Sequence, residues 1–212
     1  MIAVIDYDAG NIRSVLNAMK AMGQEAVLTD DRETILGADR IILPGVGAFG
    51  DAMGRLKDRG LVEVIRKAAG EGTPFLGICL GLQLLFSSSE ESPGAEGIGL
   101  LAGTVKKFPQ EADGIRYKVP EIGWNDLTYP NPGRLFEGVP EHSYVYFVHS
   151  FYAHAEDRSI TKATSTYAGV TFDASVESGN VFACQFHPEK SEAVGRKILE
   201  NFLRITNGGA AC

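Results

Sequence analysis

The stretch that most constrains this 212-residue chain is Thr73-Pro74-Phe75-Leu76-Gly77-Ile78-Cys79-Leu80-Gly81-Leu82-Gln83-Leu84-Leu85-Phe86. It begins as a short apolar run and continues with apolar residues at helical spacing, which predicts a strand leading straight into a helix. A single cysteine stands at the join, with Gly77 two places before it and Gly81 two places after. That is the form of a nucleophile elbow carrying sulfur in place of a serine hydroxyl. So sharp a turn crowds its neighbours, and residues without a Cβ are needed on either side. The free N–H groups at the start of the helix would favour thiolate, the reactive form. A cysteine in an apolar run can also be plain core, so the elbow reading calls for a base elsewhere in the chain.

A candidate base lies in Phe182-Ala183-Cys184-Gln185-Phe186-His187-Pro188-Glu189. The residues before His187 read as a buried strand, and Pro188, which has no N–H to donate, ends it. In extended chain, residues two apart face the same way. His187 and Glu189 can therefore meet, the carboxylate fixing the imidazole tautomer and stabilising the imidazolium. Cys79, His187 and Glu189 then form a nucleophile, a base and an orienting acid.

The length suits one domain with a full core. At 44% hydrophobic and 22% charged residues the composition is that of an ordinary soluble protein. A formal net charge of −7 argues against a nucleic-acid partner. No apolar run is long enough to span a bilayer, and Met1-Ile2-Ala3-Val4-Ile5-Asp6 reads as a first strand, not a signal peptide. Three widely spaced cysteines make a disulfide framework or a zinc site improbable and suit the cytoplasm. Of these, Cys184 reads as inert core and Cys212 as an exposed tail residue.

Up to the elbow, strands and helices alternate. Strands are expected at Ile2 to Ile5, Ala26 to Leu28 and Arg40 to Leu43. Helices are expected from Ile12 to about Met22 with Asn11 as the cap, from Asp31 to Leu36, and over Phe49 to Ala69 with a break near Gly60. This implies an α/β fold with a mostly parallel central sheet flanked by helices, of flavodoxin-like type. Residues 87–99 read as a surface loop. Beyond Leu101, strand-like segments separated by turns predict an antiparallel extension, and a last helix opens at Ser191 or Glu192. One domain over residues 1–206 is expected, followed by a disordered tail at 207–212. Gly45-Val46-Gly47-Ala48-Phe49-Gly50 matches the dinucleotide fingerprint Gly-x-Gly-x-x-Gly, but it does not follow the first strand. The alternative use of such a segment is to aim a backbone N–H at a developing oxyanion.

With these pieces in place, the elbow and the Gln185-to-Glu189 segment resemble class I, triad-type glutamine amidotransferases. The resemblance covers nearly the whole chain. Tyr7-Asp8-Ala9-Gly10-Asn11, Leu43 to Phe49, Ile122-Gly123-Trp124-Asn125 and Tyr146-Phe147-Val148-His149-Ser150 are most similar to the glutaminase subunits of imidazole glycerol phosphate synthase, which act in histidine biosynthesis. Glu121 departs from the pattern, where a histidine is expected. The resemblance implies glutamine as substrate, no cofactor and no metal. It implies backbone oxyanion donors at Leu80 and at Val46 or Gly47, and substrate contacts from Gly47, Gln83, Glu91 and Ser150. It also implies a heterodimer with a (β/α)8-barrel cyclase subunit, with Asn11, Trp124 and Lys190 at the contact; core packing is the other reading of Trp124. His149 is expected to be structural, and His142 and His154 to lie on the surface. A glutaminase for another acceptor, of anthranilate or pyridoxal phosphate type, and a non-catalytic nucleotide-binding module are the alternatives.

Overall fold

The computed structural model describes residues 1–206 apart from Ala9 and Asp113. The tail 207–212, and Cys212 with it, lie outside the described residues. The first half alternates β1 (Ile2–Ile5), α1 (Ile12–Ala21), β2 (Ala26–Thr29), α2 (Arg32–Leu36), β3 (Arg40–Leu43), α3 (Phe49–Asp58), α4 (Leu61–Gly70), β4 (Phe75–Ile78) and α5 (Leu80–Leu84). After it come β5 (Phe86–Ser89), β6 (Leu101–Lys107), β7 (Glu111–Ala112), β8 (Ile115–Arg116), β9 (Glu121–Asp126), β10 (Tyr144–His149), β11 (Phe151–Ala155), β12 (Thr161–Tyr167), β13 (Val170–Ser178), β14 (Val181–Cys184) and α6 (Glu192–Arg204).

One ten-stranded sheet runs β2-β1-β3-β4-β14-β13-β11-β6-β5, with β12 alongside β13. The five strands β2, β1, β3, β4 and β14 are parallel. β1, β3, β4 and β14 carry almost unbroken apolar runs because both faces are covered by helices or loops. β13, β11 and β6 add antiparallel pairs, which is the expected extension. β9 and β10 form a separate two-stranded ribbon.

The break expected near Gly60 is present, with helices at Phe49–Asp58 and Leu61–Gly70 and Gly60 at φ +66° between them. Two sequence expectations are corrected. The segment 87–99 is not all loop: β5 pairs in parallel with β6, because Phe86 and Ser89 are buried under the sheet edge. Asn11 occupies the cap position of α1 at φ +67° but makes no capping hydrogen bond. Its side chain is engaged in the site.

The elbow depends on close backbone approach. A Cβ on Gly81 would lie 1.9 Å from the Leu43 carbonyl oxygen, and one on Gly77 would lie 2.7 Å from the Gly81 carbonyl oxygen. β3, β4 and α5 therefore meet at van der Waals limits that glycine alone permits. Gly81→Ala is expected to destabilise the fold by at least about 2 kcal/mol, since backbone has to move to make room. A chemical-denaturation midpoint equal to that of the unmodified protein would contradict this account of the elbow.

Candidate active site

Cys79 sits between β4 and α5 at φ +56°, ψ −110°, a region that non-glycine residues rarely occupy. Surrounding contacts hold it there. Its N–H donates to the Cys184 carbonyl at 2.8 Å, and α5 begins at the next residue. The thiol is nearly buried, with the Val148 carbonyl oxygen at 3.9 Å and the Gln185 amide nitrogen at 3.8 Å.

His187 and Glu189 follow β14, the strand that pairs with β4. Pro188–Lys190 forms a single 3-10 turn instead of extended chain, and the turn still brings the two side chains together. His187 Nδ1 lies 2.8 Å from Glu189 Oε1. The His187 backbone is fixed on both sides: its N–H donates to the Tyr146 carbonyl, and its own carbonyl accepts from Ser191 Oγ at 2.7 Å. Nε2 is buried and makes no well-formed hydrogen bond. Burial lowers the affinity of this imidazole for a proton, but interaction with Cys79 and with Glu189 outweighs it, and the pKa is pushed up to about 9. The ring thus interacts with the thiol on one side and the carboxylate on the other, as a base between nucleophile and orienting acid requires.

Asn11 Nδ2 donates to Glu189 Oε1 at 2.8 Å and lies 3.4 Å from His187 Nδ1. This is why Asn11 does not cap its own helix. A residue expected as a helix cap and at a subunit contact is thus a hydrogen-bond donor to the carboxylate of the Cys-His-Glu set.

Seven of the residues singled out from sequence line one cavity of about 250 Å³: Val46, Gly47, Cys79, Leu80, Gln83, Glu91 and Ser150. Gln83 is held by the Phe151 carbonyl oxygen at 2.9 Å and by Gln185 Oε1 at 3.0 Å. Gln185 therefore links Gln83 to the thiol. The apolar character of its strand gave no reason to assign it a role, although its polarity within that run was a signal. Glu91 accepts from the Phe49 N–H at 2.7 Å, and Ser92 Oγ accepts from the Gly50 N–H at 2.9 Å. Those two N–H groups open α3, so the donors a nucleotide phosphate would use are already bonded to side chains. Gly45 is closed in as well, for its Cβ would lie 2.4 Å from the Tyr7 hydroxyl. The Gly45-to-Gly50 run is thus not an open phosphate cradle.

The ribbon of β9 and β10 separates its residues by face. Glu121, Val145, Phe147 and His149 are buried, whereas Ile122, Trp124 and Tyr144 are exposed, Trp124 at 47%. The core-packing reading of Trp124 therefore fails. Its ring meets Tyr146 edge-on at 6.0 Å, and Lys190 Nζ lies 5.9 Å from the Tyr146 ring centre. Glu121 points inward, opposite His149, with Nε2 and Oε2 3.1 Å apart. The second carboxylate oxygen accepts from Asn125 at 2.9 Å. His149 Nδ1 lies 2.8 Å from the Phe151 carbonyl oxygen, so the ring is part of the frame. His142 and His154 are on the surface.

A thiol at an elbow, an imidazole–carboxylate pair beside it and a small polar cavity in front define a class. Residues 3–206 match the family described as glutamine amidotransferase class-I, and the chain belongs to that family. It is 48% identical over 209 residues to the "Imidazole glycerol phosphate synthase subunit HisH" of Geobacillus sp. (strain WCH70), covering 98% of each chain. It is 49% identical over 201 residues to the HisH subunit of Moorella thermoacetica, covering 95% of this chain and 93% of the other. Among solved structures, a glutamine amidotransferase superposes with a TM-score of 0.72 at 23% identity, over 95% of this chain and 99% of that one. PurLQS from Thermotoga maritima gives 0.73 at 24% identity, over 95% and 96%. These two likenesses concern the fold.

The raised pKa of His187 sets the sign of a pH effect. A group protonated more tightly in the folded state than in the unfolded one, where its value is about 6.5, contributes stability that is fully present below that value. The contribution is lost as pH rises through about 9. Thermal melts between pH 6.5 and about 9 are expected to show a steeper fall in midpoint for the native chain than for His187→Asn. Parallel curves would show that the imidazole is not held in this way.

Proposed function

We propose that the chain hydrolyses glutamine to glutamate and ammonia and delivers the ammonia to a cyclase subunit that makes imidazole glycerol phosphate, a step of histidine biosynthesis. The observation that carries the reading is the meeting of Cys79, His187 and Glu189 behind a cavity lined by Gly47, Gln83, Glu91 and Ser150. The high identity to HisH subunits over almost the full length of both chains supports it.

In this reading each group takes a step. His187 takes the proton of the Cys79 thiol, and the thiolate attacks the side-chain amide carbon of glutamine. A C–S bond forms and the carbonyl oxygen becomes an oxyanion, which accepts from the Leu80 N–H and from an N–H of the Val46–Gly47 segment. His187 passes its proton to the amide nitrogen, the C–N bond breaks and ammonia leaves. Water then attacks the thioester carbon, giving a proton to His187; the C–S bond breaks, glutamate departs, and His187 returns the proton to the sulfur. Glu189 keeps His187 oriented and balances the imidazolium. Gln83, Glu91 and Ser150 hold the amino-acid end of the substrate, with Glu91 toward the ammonium.

Ammonia released into water would be protonated and lose its nucleophilicity. Direct delivery calls for a docked partner, and a (β/α)8-barrel cyclase subunit is the proposed one, forming a heterodimer. The exposed Ile122, Trp124, Tyr144 and Lys190 on and beside the ribbon supply an apolar face with a cationic edge. Asn11, bonded to Glu189, is also proposed at the contact. A cytoplasmic location is part of the same proposal.

The decisive experiment combines the chain with the cyclase and varies the nitrogen source. Cys79→Ala is expected to abolish glutamine hydrolysis while synthesis from free ammonium continues. Retained hydrolysis in that variant would refute the assignment. A further variant, Trp124→Ala, is expected to weaken assembly by about 2 kcal/mol, close to thirtyfold in Kd, when the heterodimer is titrated. An unchanged Kd would move the contact away from the ribbon.

A further inference from the structure

Resting on the glutaminase reading above, we propose that Tyr7 is a positioning residue: its buried hydroxyl, bonded to the Pro44 carbonyl, holds the backbone of residues 44–47 in register with the elbow, so that this segment presents its N–H to the oxyanion.

Tyr7 follows β1 and is 1% exposed. Its hydroxyl donates to the Pro44 carbonyl oxygen at 2.8 Å. Burial, with a smaller effect from Cys79, holds this phenol well above its usual range, so it remains an O–H donor throughout the working pH range. Pro44 is the residue at which the chain leaves β3 for the Gly45-Val46-Gly47 segment.

The two sides of that segment are unequal. On the elbow side the packing is tight: a Cβ on Gly45 would lie 2.9 Å from the Leu80 Cβ and 3.1 Å from the Gly81 nitrogen. On the far side there is space. Gly47 has φ +103° and nothing within 4 Å of where its Cβ would be. A cavity of about 80 Å³ lies between Tyr7, Val46, Gly47, Asp51 and Arg55. At the Gly47 end, which borders both this cavity and the one in front of Cys79, side-chain packing therefore leaves the segment room to shift. The phenol hydrogen bond acts at the Pro44 end, where a Gly45 Cβ would also lie 2.4 Å from the Tyr7 hydroxyl, and so fixes the point from which the looser Gly47 end is carried. Gly10 faces the same segment, and a Cβ added there would lie 2.8 Å from a Val46 methyl group.

One loop thus reaches both catalytic elements. Through Tyr7 it bonds to the Pro44 end of the oxyanion segment, and through Asn11 it reaches Glu189. Tyr7 itself touches neither substrate nor the reacting atoms.

The test compares native chain with Tyr7→Phe, each assembled with the cyclase partner. Steady-state glutaminase activity reads the oxyanion step. Alkylation of Cys79 by iodoacetamide, followed on the Cys79 peptide by mass spectrometry, reads thiolate and base alone, because displacement of iodide passes through no carbonyl oxyanion. For Tyr7→Phe, kcat is expected to fall about tenfold, with KM and the alkylation rate each within about twofold of native. The thermal midpoint of each assembly confirms folding, and if Tyr7→Phe melts early, Gly10→Ala, which presses on Val46 alone, is read in its place with the same expected split. A kcat within about twofold of native, or alkylation falling in step with kcat, overturns the proposal. If the native assembly hydrolyses no glutamine, the glutaminase reading fails first and this inference with it.

Discussion

The structure turns on the approach of three backbones. Leu43 at the end of β3, Gly77 in β4 and Gly81 in α5 come so close that a methyl group at either glycine would overlap a carbonyl. This contact lets the chain reverse within one residue at Cys79, and that residue carries the conformational strain. Strain at a nucleophile is sustained when the surroundings over-determine it. Here they do so through the Cys184 carbonyl on one side and the first turn of α5 on the other. The sulfur is thereby fixed above the sheet, beside an imidazole carried on the neighbouring strand.

The electrostatics follow from the same placement. His187 is almost wholly enclosed, which by itself would disfavour the imidazolium. The thiol and the Glu189 carboxylate reverse that preference. Glu189 is in turn fixed by Asn11, whose amide is diverted from its helix for the purpose. Cys184, by contrast, is buried among apolar groups, and its pKa is pushed up to about 12, which keeps it inert. The two buried cysteines, one just after β4 and one in β14, thus differ in what lies next to the sulfur.

Much of this was legible in the chain. The parallel half announces itself by apolar runs between helical periods, and the elbow by a cysteine between two glycines. What stayed hidden depends on partners distant in sequence. β9 was not recognised as a strand because Glu121 and Asn125 break its apolar pattern. Their polarity makes sense only once His149 is found across the ribbon. β11 is a short mixed sequence with an exposed histidine in it, and its pairing with β6 cannot be read locally. Asn11 looked like a helix cap because composition favours that use, and only the position of Glu189, 178 residues away, overrides it. Gln185 was hidden by the apolar strand that delivers it.

The pairing of β4 has a consequence for how the molecule comes into being. On one edge this strand bonds to β3, made early in synthesis; on the other it bonds to β14, made more than a hundred residues later. Until Val181–Cys184 leaves the ribosome, β4 keeps one open apolar edge, and the thiol has neither its imidazole nor its carboxylate. Long-range pairings of this kind form late. The edge of β4 next to Cys79 is therefore closed late, in the same event that brings His187 and Glu189 into place.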